Sequence, residues 1–271
     1  MTTPKPNLPA NTNQTPQSVH VISEKRKVRL LIVGKGTEKG DISAFQFARA
    51  NVIKSYKNID KNKYEIISYD VSTAKELVDK INQQDIDSIR SLDIFSHGGE
   101  TALYMTVGEP RYRSDGSLWG DVRGALDTAD RWAFRNAALY RNNKALLSHA
   151  AVIADSTSLY SIEFDRFTDN VKVELHGCNT AKPNEGGIFS EPDPADNFAG
   201  EFSKILFEAG HVNSIVIGSP VQSNPSINGD NTTIKQQDYR HGRRCIFRNG
   251  KKIGETKEKG HIDENMLSKM Q

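Results

Sequence analysis

Two reactive side chains stand at the ends of apolar, β-prone runs in this sequence. His97 closes the run SLDIFSHGG (91–99) and is followed by Gly98 and Gly99, while Cys178 closes VKVELHGC (171–178) behind Gly177. A thiolate attacks carbonyl carbon, and an imidazole within reach raises the thiolate population and then protonates the leaving group. The flanking glycines let a substrate backbone come close and leave amide N–H groups to face an oxyanion. For the pair to meet, the two runs must be neighbouring strands of one sheet, because open parallel sheets gather reactive groups at the carboxyl ends of their strands.

The surrounding pattern predicts such a sheet. KVRLLIVGKG (27–36) is a compact apolar run with β-branched residues and terminal glycines, the mark of a strand buried on both faces. Residues 42–56 place Phe45, Ala48, Val52, Ile53 and Tyr56 at helical spacing, with Asp41 in the N-cap position. YEIISYDV (64–71) reads as a second strand, and 73–84 as a helix whose Thr73 and Glu76 have capping-box spacing. Strand, helix, strand, helix is the α/β signature. After the His97 strand, 102–107 forms a short hairpin arm, and 108–168 is an inserted region in which Leu126, Ala129, Trp132, Ala133 and Leu139 suggest helices. Beyond Cys178, residues 193–210 carry a stripe of Phe198, Phe202, Ile205, Leu206 and Ala209 ending at Gly210. A buried strand follows at 214–220, then a hairpin over 243–255 turning at Asn249-Gly250. One α/β domain over 25–256 is expected, with a disordered Pro, Thr, Asn and Gln rich tail at 1–24 and a C-terminal tail at 257–271.

In element order from Lys27 to Pro220, and in the pieces DIFSHGG and VKVELHGCNTA, the sequence resembles the caspase-like (clan CD) cysteine peptidases, and within them the bacterial CHAT-type domains. The stretch FAGEFSKILFEAGHVNSIVIGSP (198–220) is similar to the helix and strand that follow the nucleophile in that family. The resemblance implies a three-layer α/β sandwich with a mostly parallel central sheet. It implies a cysteine endopeptidase with Cys178 as nucleophile, His97 as general base and acid, the Gly98 and Cys178 amides as oxyanion donors, a protein or peptide substrate and no cofactor. The insertion carrying Trp119 and Trp132, and the roughly 80 residues between His97 and Cys178, depart from the family pattern.

Strand alternation would put His176 on the same side as Cys178, at the wall of the pocket for the residue preceding the cut. Glu191, Asp193 and Asp196 are the loop carboxylates able to join it there and draw a basic substrate side chain. Two other readings compete: a caspase-like interaction module that has lost activity, and a zinc-dependent hydrolase using His97, His149, His176 and Cys178. The latter lacks a CxxC or HxxxH clamp. Gly34, Gly36 and Gly40 miss the dinucleotide spacing GxGxxG by one residue, so a plain tight turn is the better reading. Arg240, Arg243, Arg244, Arg248, Lys251 and Lys252 form a basic run without an acid, read either as a solvated hairpin or as a site for an acidic small-molecule activator or regulatory partner.

Composition narrows the classes further. Across 271 residues, 36 Lys and Arg against 34 Asp and Glu leave +2, which argues against a polyanion-coating protein and against a nucleic-acid partner. No apolar run approaches the ~20 residues of a membrane span. Two cysteines and a start without an apolar signal core place the chain in a reducing cytoplasm, so delivery into another cell would need a signal-peptide-independent route.

Overall fold

The computed structural model describes residues 26–35, 39–100, 102–105, 138–140, 157–183, 193–263 and 266–267. Its centre is a seven-stranded sheet. In chain order its strands are β1 (Val28–Gly34), β2 (Glu65–Val71), β3 (Ile89–Phe95), β8 (Phe167–Leu175), β9 (Ile215–Gly218), β10 (Arg244–Arg248) and β11 (Lys251–Thr256). Their spatial order is β11-β10-β9-β8-β3-β1-β2. From β2 to β9 all neighbours run parallel, whereas β9 with β10 and β10 with β11 are antiparallel. A second, four-stranded sheet of β4 (His97–Gly98), β5 (Ala102–Tyr104), β6 (Ala138–Tyr140) and β7 (Thr157–Ser158) grows from the end of β3.

Helices cover both faces. On one side α2 (Ala74–Asn82) and α3 (Phe198–Glu208) bury Leu77, Ile81, Phe198, Phe202 and Leu206 against Leu30, Ile32, Leu92, Ile94 and Val173. On the other, α1 (Lys39–Asp60) sets Phe45, Ala48, Val52 and Tyr56 against Leu31, Val33 and Phe95. Alternate residues of each strand therefore serve different layers, which is why the central strands read as unbroken apolar runs. Helix ends follow local chemistry. Thr73 caps α2 by accepting from the Glu76 amide at 3.1 Å, and Asn197 caps α3 by accepting from that of Gly200 at 2.9 Å. Gly210 leaves α3 with a φ of +97°, a left-handed turn that glycine takes at no steric cost.

Several expectations are corrected. α1 already includes Asp41, so Asp41 is inside the helix and not its cap. Leu139 lies in strand β6, not a helix, because its backbone is recruited into the small sheet between β5 and β7. Residues 157–166 of the inserted region are strand β7 and two short 3-10 turns, Leu159–Ser161 and Phe164–Arg166, not the expected helix; apart from these, 138–140 and the start of β8, the region is outside the described residues, as is the 1–24 tail. β8 starts at Phe167, since its first residue pairs with Ile89 before the apolar pattern becomes visible. α3 begins only at Phe198, because 193–197 turn to place the Asn197 cap. The end of the chain is not simply a tail: Ile262 and Leu267 are buried against Ile215, Ile217 and Ile246. Asn249 and Gly250, at φ +52° and +72°, make the predicted hairpin turn.

Candidate functional site

β3 and β8 are adjacent and parallel, with Ile94 opposite Leu175, so the segments leaving them start side by side. Their glycines then come into contact. A Cβ placed on Gly98 would lie 2.8 Å from the Cys178 carbonyl oxygen, and one on Gly177 would lie 3.3 Å from the Gly98 Cα. Neither position tolerates a side chain without moving backbone, and that close approach is what brings the His97 and Cys178 segments together. After Cys178, Asn179 takes a left-handed backbone with φ +55°, a conformation that asparagine accepts more readily than most residues.

The turn is held from three sides. The Asn179 amide donates to the Val221 carbonyl at 3.0 Å, the Ala181 amide to that of Ser219 at 2.9 Å, and the Ala199 amide to that of Thr180 at 2.9 Å. Buried Thr180 donates its hydroxyl to the Gly177 carbonyl at 3.3 Å and accepts from the Ser219 amide at 3.1 Å. Cys178 is half-buried, its Sγ 3.5 Å from the Ser223 carbonyl oxygen and 3.6 Å from the Ser223 hydroxyl. The imidazole of His97 packs edge-on against Phe45 at 5.5 Å. Cys245, in contrast, is buried within β10, where desolvation pushes its thiol above the ordinary range.

His176 does not share the thiol's surroundings as expected. β8 ends at Leu175 and the chain bends at Gly177, so the alternation assumed from 174 to 178 stops short. The ring of His176 is buried, stacked on Phe95 at 4.2 Å with only 9° between planes, and its Nε2 lies 3.0 Å from Asp93 Oδ1. Asp93 also accepts from the Tyr56 hydroxyl at 2.7 Å. Next to this chain Glu174 accepts from Arg244 at 2.7 Å and from Lys172 at 3.3 Å. Burial alone would raise Glu174, but Lys172 and Arg244 override it and hold its carboxyl well below the usual range. Tyr56 moves the other way: burial, then Asp93 and Glu174, push its phenol well up. Tyr56, Asp93, His176, Glu174, Lys172 and Arg244 thus form one internal polar network under the carboxyl end of the parallel strands.

Asp93, Glu174 and His176 bring three potential ligand atoms within 4.8 Å of one another. The donor set fits a cation poorly, because Lys172 and Arg244 already neutralise Glu174 and would oppose a divalent ion. His149, the other residue of the zinc reading, is outside the described residues. Of the carboxylates expected near the thiol, Glu191 is also outside them. Asp193 spends Oδ1 on the Ala195 amide at 2.8 Å, and the Asp196 amide donates to the Asp193 carbonyl at 2.9 Å, so both shape the turn before α3. A small cavity under the same end of the sheet is lined by Glu174, His176, Ser219, Ser223, Tyr239, His241 and Arg244; it shares Ser223 with the thiol, but neither Cys178 nor Asp193 or Asp196 lines it. The basic run presents no single charged face, since acids elsewhere in the chain answer most of it. Arg240 pairs with Asp238 at 2.7 Å, Arg244 with Glu174, Arg243 with Glu255 at 2.5 Å, and Lys252 with Glu255.

Ser223 and Thr180 were not marked as site residues by the sequence, and Arg244 was marked only as part of the basic run, not as a partner of Glu174. Only the charges set into buried strands, Asp93 in SLDIF and Glu174 in VKVEL, signalled an internal network, because a buried charge must be paired. No protein-family model matches the chain, and no curated protein matches it in sequence.

Proposed function

We propose that this chain is a caspase-like cysteine endopeptidase. The Cys178 sulfur attacks the scissile carbonyl carbon as His97 takes the thiol proton; the carbonyl π-pair moves onto oxygen, where the Gly98 and Cys178 amides receive it. Collapse of that intermediate breaks the C–N bond, His97 returns the proton to the amine, and a water deprotonated by His97 then releases the acyl group from sulfur. The observation that carries the reading is the glycine contact between the segments leaving β3 and β8, where β4, with His97, abuts the turn of Cys178 at the carboxyl edge of a parallel sheet. The order of elements around them is similar to that of the caspase-like group.

The test is a proteome-derived peptide library incubated with the wild-type chain, Cys178→Ala and His97→Ala, with cleavage sites read by mass spectrometry. Cleavage by wild type that vanishes in both variants, with their melting temperatures kept, is the expected result. Wild-type cleavage that persists in Cys178→Ala refutes the assignment.

A further inference from the structure

The loop that follows β9 meets the Cys178 sulfur. Hydrogen bonds tie it down on both sides of the contact. Before it, the Ala181 amide donates to the Ser219 carbonyl at 2.9 Å and the Asn179 amide to that of Val221 at 3.0 Å, while the Ser219 hydroxyl donates to the Val221 carbonyl at 2.9 Å. After it, His241 donates from Nε2 to the Asn224 carbonyl at 2.9 Å. Held between these anchors, Ser223 sets its carbonyl oxygen 3.5 Å and its hydroxyl 3.6 Å from Sγ.

Those two groups favour opposite protonation states. The carbonyl only accepts, so it serves S–H and loses its partner once the thiol ionises. The hydroxyl donates, and neutral sulfur is a weak acceptor, whereas a hydrogen bond to an ionised acceptor is roughly twice as strong as a neutral one. Its contribution is therefore concentrated in the thiolate. The titratable side chains nearby have other commitments. His97 on β4 abuts the Cys178 turn and takes the thiol proton in the mechanism above. Across the cavity that Ser223 lines, Arg244 pairs with Glu174 at 2.7 Å, His176 with Asp93 at 3.0 Å, and the Tyr239 ring lies 5.5 Å from that of Phe45. His241 is engaged with Asn224, so the side-chain donor set on the sulfur is the Ser223 hydroxyl.

We propose that Ser223 is a further catalytic residue whose hydroxyl donates a hydrogen bond to the Cys178 thiolate. This deepens the peptidase reading and rests on its choice of Cys178 as nucleophile. The thiol proton leaves for His97, the electron pair stays on sulfur, the contact with the Ser223 carbonyl loses its hydrogen, and the hydroxyl keeps its own proton while holding the anion. When the C–S bond forms, the charge passes to the carbonyl oxygen of the substrate and the Ser223 bond weakens again. A better-stabilised thiolate is also a poorer nucleophile, with a Brønsted slope of about 0.4–0.5. Where most of the thiol is protonated, a tenfold gain in thiolate therefore outweighs a roughly threefold loss of intrinsic reactivity, a net gain of about threefold.

The experiment follows iodoacetamide labelling of Cys178 in the full chain from about pH 4 to 10 by peptide mapping, for wild type, Ser223→Ala and Ser223→Thr. The midpoint of the Ser223→Ala profile should lie about one pH unit above that of wild type, with labelling about threefold slower below the wild-type midpoint and as fast or faster above both midpoints. Ser223→Thr keeps the hydroxyl and should follow wild type. Superimposable profiles for wild type and Ser223→Ala overturn the proposal. So does a slowing that is equal at every pH, which marks a change of access to the sulfur, and so does a Ser223→Thr profile that matches Ser223→Ala. Labelling needs no substrate, so the two readings fail separately. A shifted profile in a chain that cuts no peptide refutes the peptidase and leaves the Ser223 bond standing, whereas peptide cleavage with superimposable profiles refutes the role of Ser223 alone.

Discussion

Replacing Gly98 with alanine tests whether the contact between the two turns holds the chemistry in place. Gly98 is not among the positive-φ residues, so alanine suits its backbone and would, without contacts, stabilise by about 0.4–1 kcal/mol through the unfolded chain. The contacts reverse that sign. The new Cβ would meet the Cys178 carbonyl oxygen at 2.8 Å, the Thr180 methyl at 2.8 Å and the Gly177 carbonyl carbon at 3.3 Å. The two nearest atoms must retreat by about half an ångström to reach ordinary contact, and the Cys178 carbonyl sits in a turn already tied to Val221, Ser219 and Ala199. Overpacking of this kind costs about 1–3 kcal/mol, which at this chain length lowers the melting temperature by roughly 2–12 °C. Displacement of the nucleophile by a similar distance lowers kcat/KM by up to about a hundredfold. Differential scanning calorimetry and peptide cleavage measure the two effects. Gly98→Ala/Thr180→Ser removes the methyl clash and leaves the carbonyl clash, so it should recover only part of each loss. A Gly98→Ala protein as stable and as active as wild type would refute the reasoning, and full recovery in the double variant would assign the clash to Thr180 alone.

Three further outcomes are expected. His176→Ala takes one hydrogen-bond partner from buried Asp93 and removes the stack on Phe95, costing about 1–3 kcal/mol in urea unfolding, while the peptide-library preference for the residue before the cut stays as in wild type. A changed preference would return His176 to the substrate pocket. Iodoacetamide should label Cys178 at least about tenfold faster than Cys245, because Cys245 is buried and desolvation raises its thiol; equal rates by peptide mapping contradict this. Lowering the pH from 7 to 5 should remove about 2 kcal/mol of stability through His261. Its folded pKa of about 4 lies below the unfolded 6.5, so the unfolded chain binds the extra proton in that window and stability falls as pH falls. His261→Gln should flatten urea-melt stability over that window, and an unchanged slope would sink the assignment.

Much of the sheet was legible because its code is local. The β-branched runs at 28–34, 171–175 and 215–217 form strands, Thr73 and Gly210 bound helices, and Asn249-Gly250 turns a hairpin, each within a few residues of chain. That His97 and Cys178 follow β3 and β8 within three residues was legible from the same runs, although neither lies in those strands. What the chain does after a strand ends was not legible, since hydrophobic period carries no information once the alternation stops. The bend at Gly177 therefore turned His176 from an expected pocket wall into a partner of Asp93. Pairing across long separations was equally hidden: Glu174 with Arg244, Arg29 with Asp60 and Ser223 with Cys178 depend on which strands and loops become neighbours. The sequence by itself determined the order of elements and the residues able to react. Tertiary structure alone decided which charges are answered inside the sheet, because complementarity between distant residues exists only once the strands are ordered.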